Sequence, residues 1–241
     1  MKYIILVLIA ISFLNNSCKT DSDKIEKKDS ATLNKWIDVK SNNLASNVIN
    51  SIAIDGAGNK WFGTTKGLSM YNGSGWVTYK REISDSASIV NSLAYKNSEL
   101  WIGTEKGISV IRFNTANQID TIINYFSTSI TGAISDLING VYVDNSNIKY
   151  FLTDQGLSFY GQSWHKITGR SVLDNRGYIT ASFSTSGNNY TSFQSGGMLK
   201  FKYNEVDGVT GASVWEAPYN GIITETVQSI YTSSTGELWL G

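Results

Sequence analysis

From residue 36 onward, short apolar runs rich in β-branched and aromatic residues alternate with clusters of Gly, Asn, Asp and Ser. No helical period is present in this stretch, so the pattern predicts strands joined by tight turns. Residues 50–79 show it most clearly. Residues 51–55, 60–64, 68–71 and 76–79 read as four strands, separated by turns at 56–59, 65–67 and 72–75. Gly and Asn supply the positive φ that such hairpins need. Pro218 is the only proline, which suits a chain whose backbone donors are consumed by strand ladders.

This four-strand pattern repeats. Further copies open at Asn91, Asn139 and Ile179, and a fifth opens at Val227. The aromatic of the second strand falls at Trp61, Trp101, Tyr150, Tyr190 and Trp239, in steps of 40, 49, 40 and 49. A Gly-hydrophobic pair follows at Gly67, Gly107, Gly156 and Gly197. Trp36, Trp76, Trp164 and Trp215 are read as opening a last strand, and IINYF at residues 122–126 stands in the copy that lacks the Trp. Spacings of this size indicate a repeat architecture. Four strands per unit predict an all-β fold, a β-propeller of four-stranded blades: four blades and part of a fifth. Blades pack face to face. Gly63 and Gly103 are therefore expected where neighbouring backbones approach closely, and Trp61, Trp101 and Trp239 between blades.

The stretch IAIDGAGNKWFGTTKGLSMYNG at residues 52–73 resembles the two-component regulator propeller repeat, with its D-x-x-G-N, W-[FIL]-G-T and G-L followed by an aromatic. The resemblance covers residues 36–241, strongly in the first, second and fifth copies. The third copy carries Tyr150-Phe151-Leu152-Thr153 in place of W-x-G-T, and the fourth carries Tyr190-Thr191-Ser192. It implies a propeller outside the cytoplasm, often in a sensor's input region, and no particular activity.

Lys2 precedes an apolar run, residues 3–14, too short to span a bilayer comfortably and suited to a signal peptide over residues 1–17. The only cysteine, Cys18, stands at the expected cleavage point. Its setting resembles a bacterial lipobox, in which the cysteine becomes the lipidated first residue. Asn15 and Asn16 depart from the usual small and aliphatic pattern. Residues 18–35 read as the lipidated cysteine and a disordered tether, too poor in apolar residues to offset the entropy of ordering. The expected location is the cell envelope, as a periplasmic or outer-membrane lipoprotein held to the membrane through the lipid. Residues 36–39, WIDV, match a fourth strand ahead of the first complete blade, and the fifth copy stops within its second strand. Both features are expected of a fragment of a longer propeller, incomplete at its C-terminus.

Composition narrows the chemistry. Twenty Lys and Arg balance twenty Asp and Glu, without the basic excess that nucleic acid binding requires. One His and one Cys leave no zinc-site spacing and no intramolecular disulfide. Residues 55–59 and 144–147 lack the carboxylate density of a calcium loop and read as hairpin turns. His165, beside Trp164, has no evident partner and reads as an outer-strand residue. No nucleophile elbow or phosphate loop is present, so the expectations are no catalytic residue, no cofactor, no metal and no enzymatic activity. Most aromatics recur at blade positions. Tyr95, Tyr178 and Tyr219 do not, and they are the candidate ligand contacts. The connections at residues 114–135 and 204–226 look long enough to build a binding surface. The expected function is a noncatalytic binding or sensory module for a glycan, peptide or partner protein. A truncated periplasmic input region of a sensor kinase and a propeller lyase or hydrolase are the alternatives.

Overall fold

The computed structural model describes residues 43–79, 89–125, 135–166, 178–183, 188–193, 197–204, 208–215, 227–233, 235 and 237–241, all within the compact unit Ser41–Gly241. Cys18, the tether, residues 36–39 and Tyr219 lie outside them.

Four antiparallel sheets of four strands follow one another, each in simple up-and-down order. The first blade is β1 (Ile49–Ile54), β2 (Lys60–Thr64), β3 (Gly67–Tyr71) and β4 (Trp76–Tyr79). The second is β5 (Val90–Lys96), β6 (Glu99–Thr104), β7 (Gly107–Phe113) and β8 (Ile119–Tyr125). The third is β9 (Ile138–Val143), β10 (Lys149–Thr153), β11 (Leu157–Tyr160) and β12 (Trp164–Lys166). The fourth is β13 (Tyr178–Phe183), β14 (Asn189–Phe193), β15 (Met198–Asn204) and β16 (Gly208–Trp215). A two-stranded sheet, β17 (Ile230–Thr232) and β18 (Leu238–Leu240), comes last. Opening strands pack in sequence, β1 on β5, β5 on β9, β9 on β13 and β13 on β17, as the inner strands of propeller blades do.

The core lies between blades. Trp61 and Leu68 of the first blade pack against Leu93, Ile102 and Ile111 of the second. Trp101 and Val110 of the second meet Val141 and Phe151 of the third. Tyr150 and Phe159 of the third meet Leu199 and Phe201 of the fourth. Gly63 and Gly103 do face the next blade at close range, but against its side chains rather than its backbone: an added Cβ would lie 2.6 Å from Val90 Cγ1 and from Ile138 Cγ2, of the residues that open the next inner strands. The hairpin glycines Gly67, Gly107, Gly156 and Gly197 have φ of 119°, 116°, 150° and 79°, a conformation costly for other residues.

Three expectations change. Trp215 ends β16 rather than opening it, because its register partner is Met198, whereas Trp76 pairs with Tyr71 at the far end of β3. Part of each long connection is sheet: residues 119–125 and 208–215 form β8 and β16, so each apparent insertion contains a fourth strand with an unfamiliar sequence. Trp239 is exposed, unlike its counterparts Trp61 and Trp101.

Candidate functional site

The topology gives the blades two unlike ends. The turns within β1–β2, β3–β4 and their equivalents lie at one end. The β2–β3 turns and the connections between blades lie at the other.

At the tight-turn end, polar groups are spent on one another. The Asp55 carboxylate is buried and accepts four hydrogen bonds. Its Oδ1 takes the amides of Ala57 and Asn59 at 2.9 and 3.0 Å. Its Oδ2 takes Asn59 Nδ2 at 2.9 Å and the Trp61 indole N–H at 2.8 Å. The D-x-x-G-N turn is thus an acceptor box that satisfies the buried indole. Asp144 repeats it, accepting the Ile148 amide at 2.9 Å and the Tyr150 hydroxyl at 2.8 Å. In the second blade, Glu99 stands in. Its carboxylate accepts the Trp101 indole at 3.0 Å and Arg112 Nε at 3.0 Å, with Lys149 Nζ at 3.7 Å. Lys149 is buried between blades, its ammonium 5.4 Å from the Trp101 ring and 5.5 Å from that of Tyr160. Lys96 reaches across from the second blade to Asn145 Oδ1 at 3.1 Å and to the Asp144 carbonyl. Burial first, and then the Asp144 charge, push the Tyr150 hydroxyl well above its ordinary titration range. These arrangements hold blades together and leave their carboxylates engaged. Among the described residues no cluster of His, Cys, Asp or Glu could hold a metal ion.

At the connection end, the side chains of Thr64, Thr104 and Thr153 close the β2–β3 hairpins by donating to the carbonyls of Gly67, Gly107 and Gly156 at 2.8 to 2.9 Å. Ser69 receives the Ala45 amide at 2.9 Å, which ties the segment entering the first blade to β3. The strands on either side of each connection between blades end and begin at this end.

The candidate residues separate accordingly. Tyr95 is half-buried near the end of β5, and its ring meets Phe113 at 5.7 Å. It sits at the tight-turn end, opposite Leu100. Tyr178 opens β13 opposite Phe193, at the connection end. The fold therefore does not bring Tyr95 and Tyr178 together. His165 lies on the outer strand β12, half-buried, with its Nε2 2.8 Å from Ser163 Oγ and its ring 6.2 Å from that of Tyr203.

Sequence reasoning passed over a set of stitching residues. Asn50 Nδ2 donates to the Val90 carbonyl and Asn91 Nδ2 to that of Ile138, both at 3.0 Å. Ser51 accepts the Leu93 amide and Ser92 the Val141 amide, both at 3.0 Å. Side chains thereby tie β1 to β5 and β5 to β9. The recurrent Asn-Ser pair opening the first two copies was the available signal.

No family model matches the chain, and no curated protein matches it. Solved structures do. One is PorZ, a bacterial surface component of the type-IX secretion system of Porphyromonas gingivalis, with a TM-score of 0.62 at 15% identity. That likeness covers 86% of this chain and 33% of PorZ. Virginiamycin B lyase from Staphylococcus aureus gives 0.57 at 11% identity, over 80% of this chain and 62% of the lyase. YCF48, solved bound to D1 peptide, gives 0.53 at 15% identity, over 80% of this chain and 61% of that one. The chain thus spans a third of PorZ and less than two thirds of the lyase. The lyase corrects the expectation of a protein without enzymatic activity: this architecture houses enzymes. The physical reason is that a propeller's reactive groups come from distant strands and loops, so the lack of a local motif does not exclude them. What these likenesses establish together with the blades is the fold, and the chain carries a β-propeller.

Proposed function

We propose that this chain is an exported, lipid-anchored binding or sensory propeller that takes a glycan, peptide or partner protein at its connection end. The observation that carries the reading is the asymmetry of the two ends. At the tight-turn end the carboxylates of Asp55, Glu99 and Asp144 are committed to neighbouring donors. The strand ends that the connections join lie at the other, and connections can vary without disturbing the blades. PorZ, a surface component, and YCF48, solved with a peptide, lend the reading support by analogy. The two-component regulator repeat that residues 52–73 resemble is in keeping with a sensory role.

The test is titration calorimetry of the chain against a panel of soluble polysaccharides and extended peptides. For the probe that binds, Tyr178→Ala and Tyr219→Ala weaken affinity about tenfold or more, as loss of an aromatic contact of ~1.4 kcal/mol would. Asn72→Ala, in a turn at the opposite end, leaves it unchanged. Binding lost with Asn72→Ala and kept in both tyrosine variants would overturn the assignment.

A further inference from the structure

The turn between β3 and β4 of the first blade reads Asn72-Gly73-Ser74-Gly75, and its first three residues are exposed. Asn72 holds this turn with its backbone and its side chain. Its N–H donates to the Gly75 carbonyl at 3.2 Å. Its Oδ1 accepts three donors: the Ser74 amide at 3.0 Å, the Ser74 hydroxyl at 2.9 Å and the Gly75 amide at 2.8 Å. Gly73 follows with a φ of 93°, and no heavy atom lies within 4 Å of where a Cβ would stand. The Gly73 carbonyl accepts the Tyr71 hydroxyl at 2.7 Å, and among the described residues no acceptor takes the Gly73 N–H.

These features favour one reaction, attack of the Gly73 nitrogen on Asn72 Cγ. A glycine nitrogen is unhindered, because no side chain stands beside it, and this one is not engaged elsewhere. Negative charge develops on Oδ1 as the new bond forms, and three donors already point at that oxygen, as in an oxyanion hole. Two other asparagines separate the contributions. Asn114, in the corresponding turn of the second blade, accepts the amides of Ala116 and Gln118 at 2.9 and 3.0 Å, but the β-branched Thr115 follows it and no hydroxyl joins the two amides. Asn139 is followed by Gly140, but both lie within β9, where Gly140 is buried opposite Leu152. Among the described residues, Asn72 alone combines a following glycine with a polarised side-chain carbonyl.

We infer that Asn72 is a site of spontaneous modification, which the first-blade turn converts with time to aspartate and isoaspartate. The Gly73 nitrogen loses its proton and bonds to Asn72 Cγ. The Nδ2 group takes up a proton and leaves as ammonia, and a succinimide ring remains. Water then opens the ring at either carbonyl. One opening gives aspartate with the ordinary backbone, and the other routes the main chain through Cγ as isoaspartate. Both products add one negative charge to a chain whose 20 basic and 20 acidic groups balance. Isoaspartate also lengthens the main chain by a carbon in the turn that sets Tyr71 against Trp76. The turn lies at the tight-turn end, so the inference stands apart from the ligand reading.

Peptide mapping by mass spectrometry tests it. The folded full chain is incubated at mildly alkaline pH in water enriched in heavy oxygen, so that only residues converted during the incubation carry label. Label should accumulate at residue 72, in separable aspartyl and isoaspartyl peptides, ahead of residues 114 and 139. Ser74→Ala keeps both amide donors and hence the turn, and it should slow labelling about threefold to tenfold, as loss of one hydrogen bond from a transition state would. In urea, where the turn is gone, that variant should be labelled as fast as the parent. Gly73→Ala should nearly abolish labelling in either condition. Label reaching residue 72 no faster than residue 139 in the folded chain, or a folded Ser74→Ala chain labelled as fast as the parent, would overturn the inference.

Discussion

At the scale of single residues, the molecule is governed by the cost of burying polar atoms. Trp61, Trp101 and Tyr150 occupy one repeat position, and each polar tip is met by a carboxylate, from Asp55, Glu99 and Asp144 respectively. An orphaned tip would cost about 1–3 kcal/mol. Tyr150 has a further consequence. Its hydroxyl, buried and facing Asp144, titrates well above the ordinary value of 10.0, which the unfolded chain retains. Above about pH 10 the unfolded chain therefore binds fewer protons than the folded one. Stability contributed by the neutral Tyr150 is present below that pH and lost as pH rises beyond it. In urea titrations, Tyr150→Phe should reduce stability at neutral pH by about 1–2 kcal/mol through the lost donor. Its further decline between about pH 9 and about pH 11 should be shallower than that of the parent chain, since one tyrosine no longer titrates differently in the two states. An equally steep decline would contradict this account of Tyr150. The Asp and Asn of the turn were legible in the sequence as turn formers. Their service to the buried ring was not, because the ring lies two residues beyond the turn and the bond depends on which face it takes.

At the scale of strands and blades, the departures of the third copy from the repeat explain one another. Where the first two blades have Gly63 and Gly103 in the second strand, the third has Leu152. Where they have Ser51 and Ser92 in the first strand, it has Gly140. A Cβ on Gly140 would lie 2.7 Å from Leu152 Cδ1, so the larger side chain in β10 is accommodated by the absent one in β9. Gly140→Ser should cost about 1–3 kcal/mol by overpacking. Leu152→Gly alone should cost several kcal/mol, roughly as other large-to-small core changes do. The double variant should be more stable than the sum of the two losses by about 1 kcal/mol or more, measured by urea unfolding. Additive losses would show that the two positions do not compensate. The strands of the first blade were readable almost residue for residue, since turn glycines and β-branched runs are local signals. The strands β8 and β16 were hidden within supposed insertions. Fourth strands sit on the outside of a blade, where fewer neighbours constrain their sequence, and the Trp marker used to find them is absent from one and displaced to the end of the other.

At the scale of the whole molecule, position in the envelope and the place of ligand contact are separate questions. The proposed anchor has a direct test: Cys18→Ala should abolish incorporation of labelled fatty acid and release the chain from the membrane fraction, while unchanged labelling would remove the lipoprotein reading. The candidate ligand contacts show how far sequence reaches. Tyr95, Tyr178 and Tyr219 were grouped because none recurs in the repeat. The fold divides Tyr95 from Tyr178 between opposite ends of their blades and packs the Tyr95 ring on Phe113. By itself, the sequence determined the repeat, the four-strand blade and the hairpin turns, because these follow from the alternation of side chains and the φ preferences of Gly and Asn over a few residues. Tertiary structure alone decided which side chains join one blade to the next and which backbone groups they tie. Those outcomes depend on contacts between residues some 40 to 49 positions apart, such as Asn50 with Val90 and Ser92 with Val141, which no local pattern encodes.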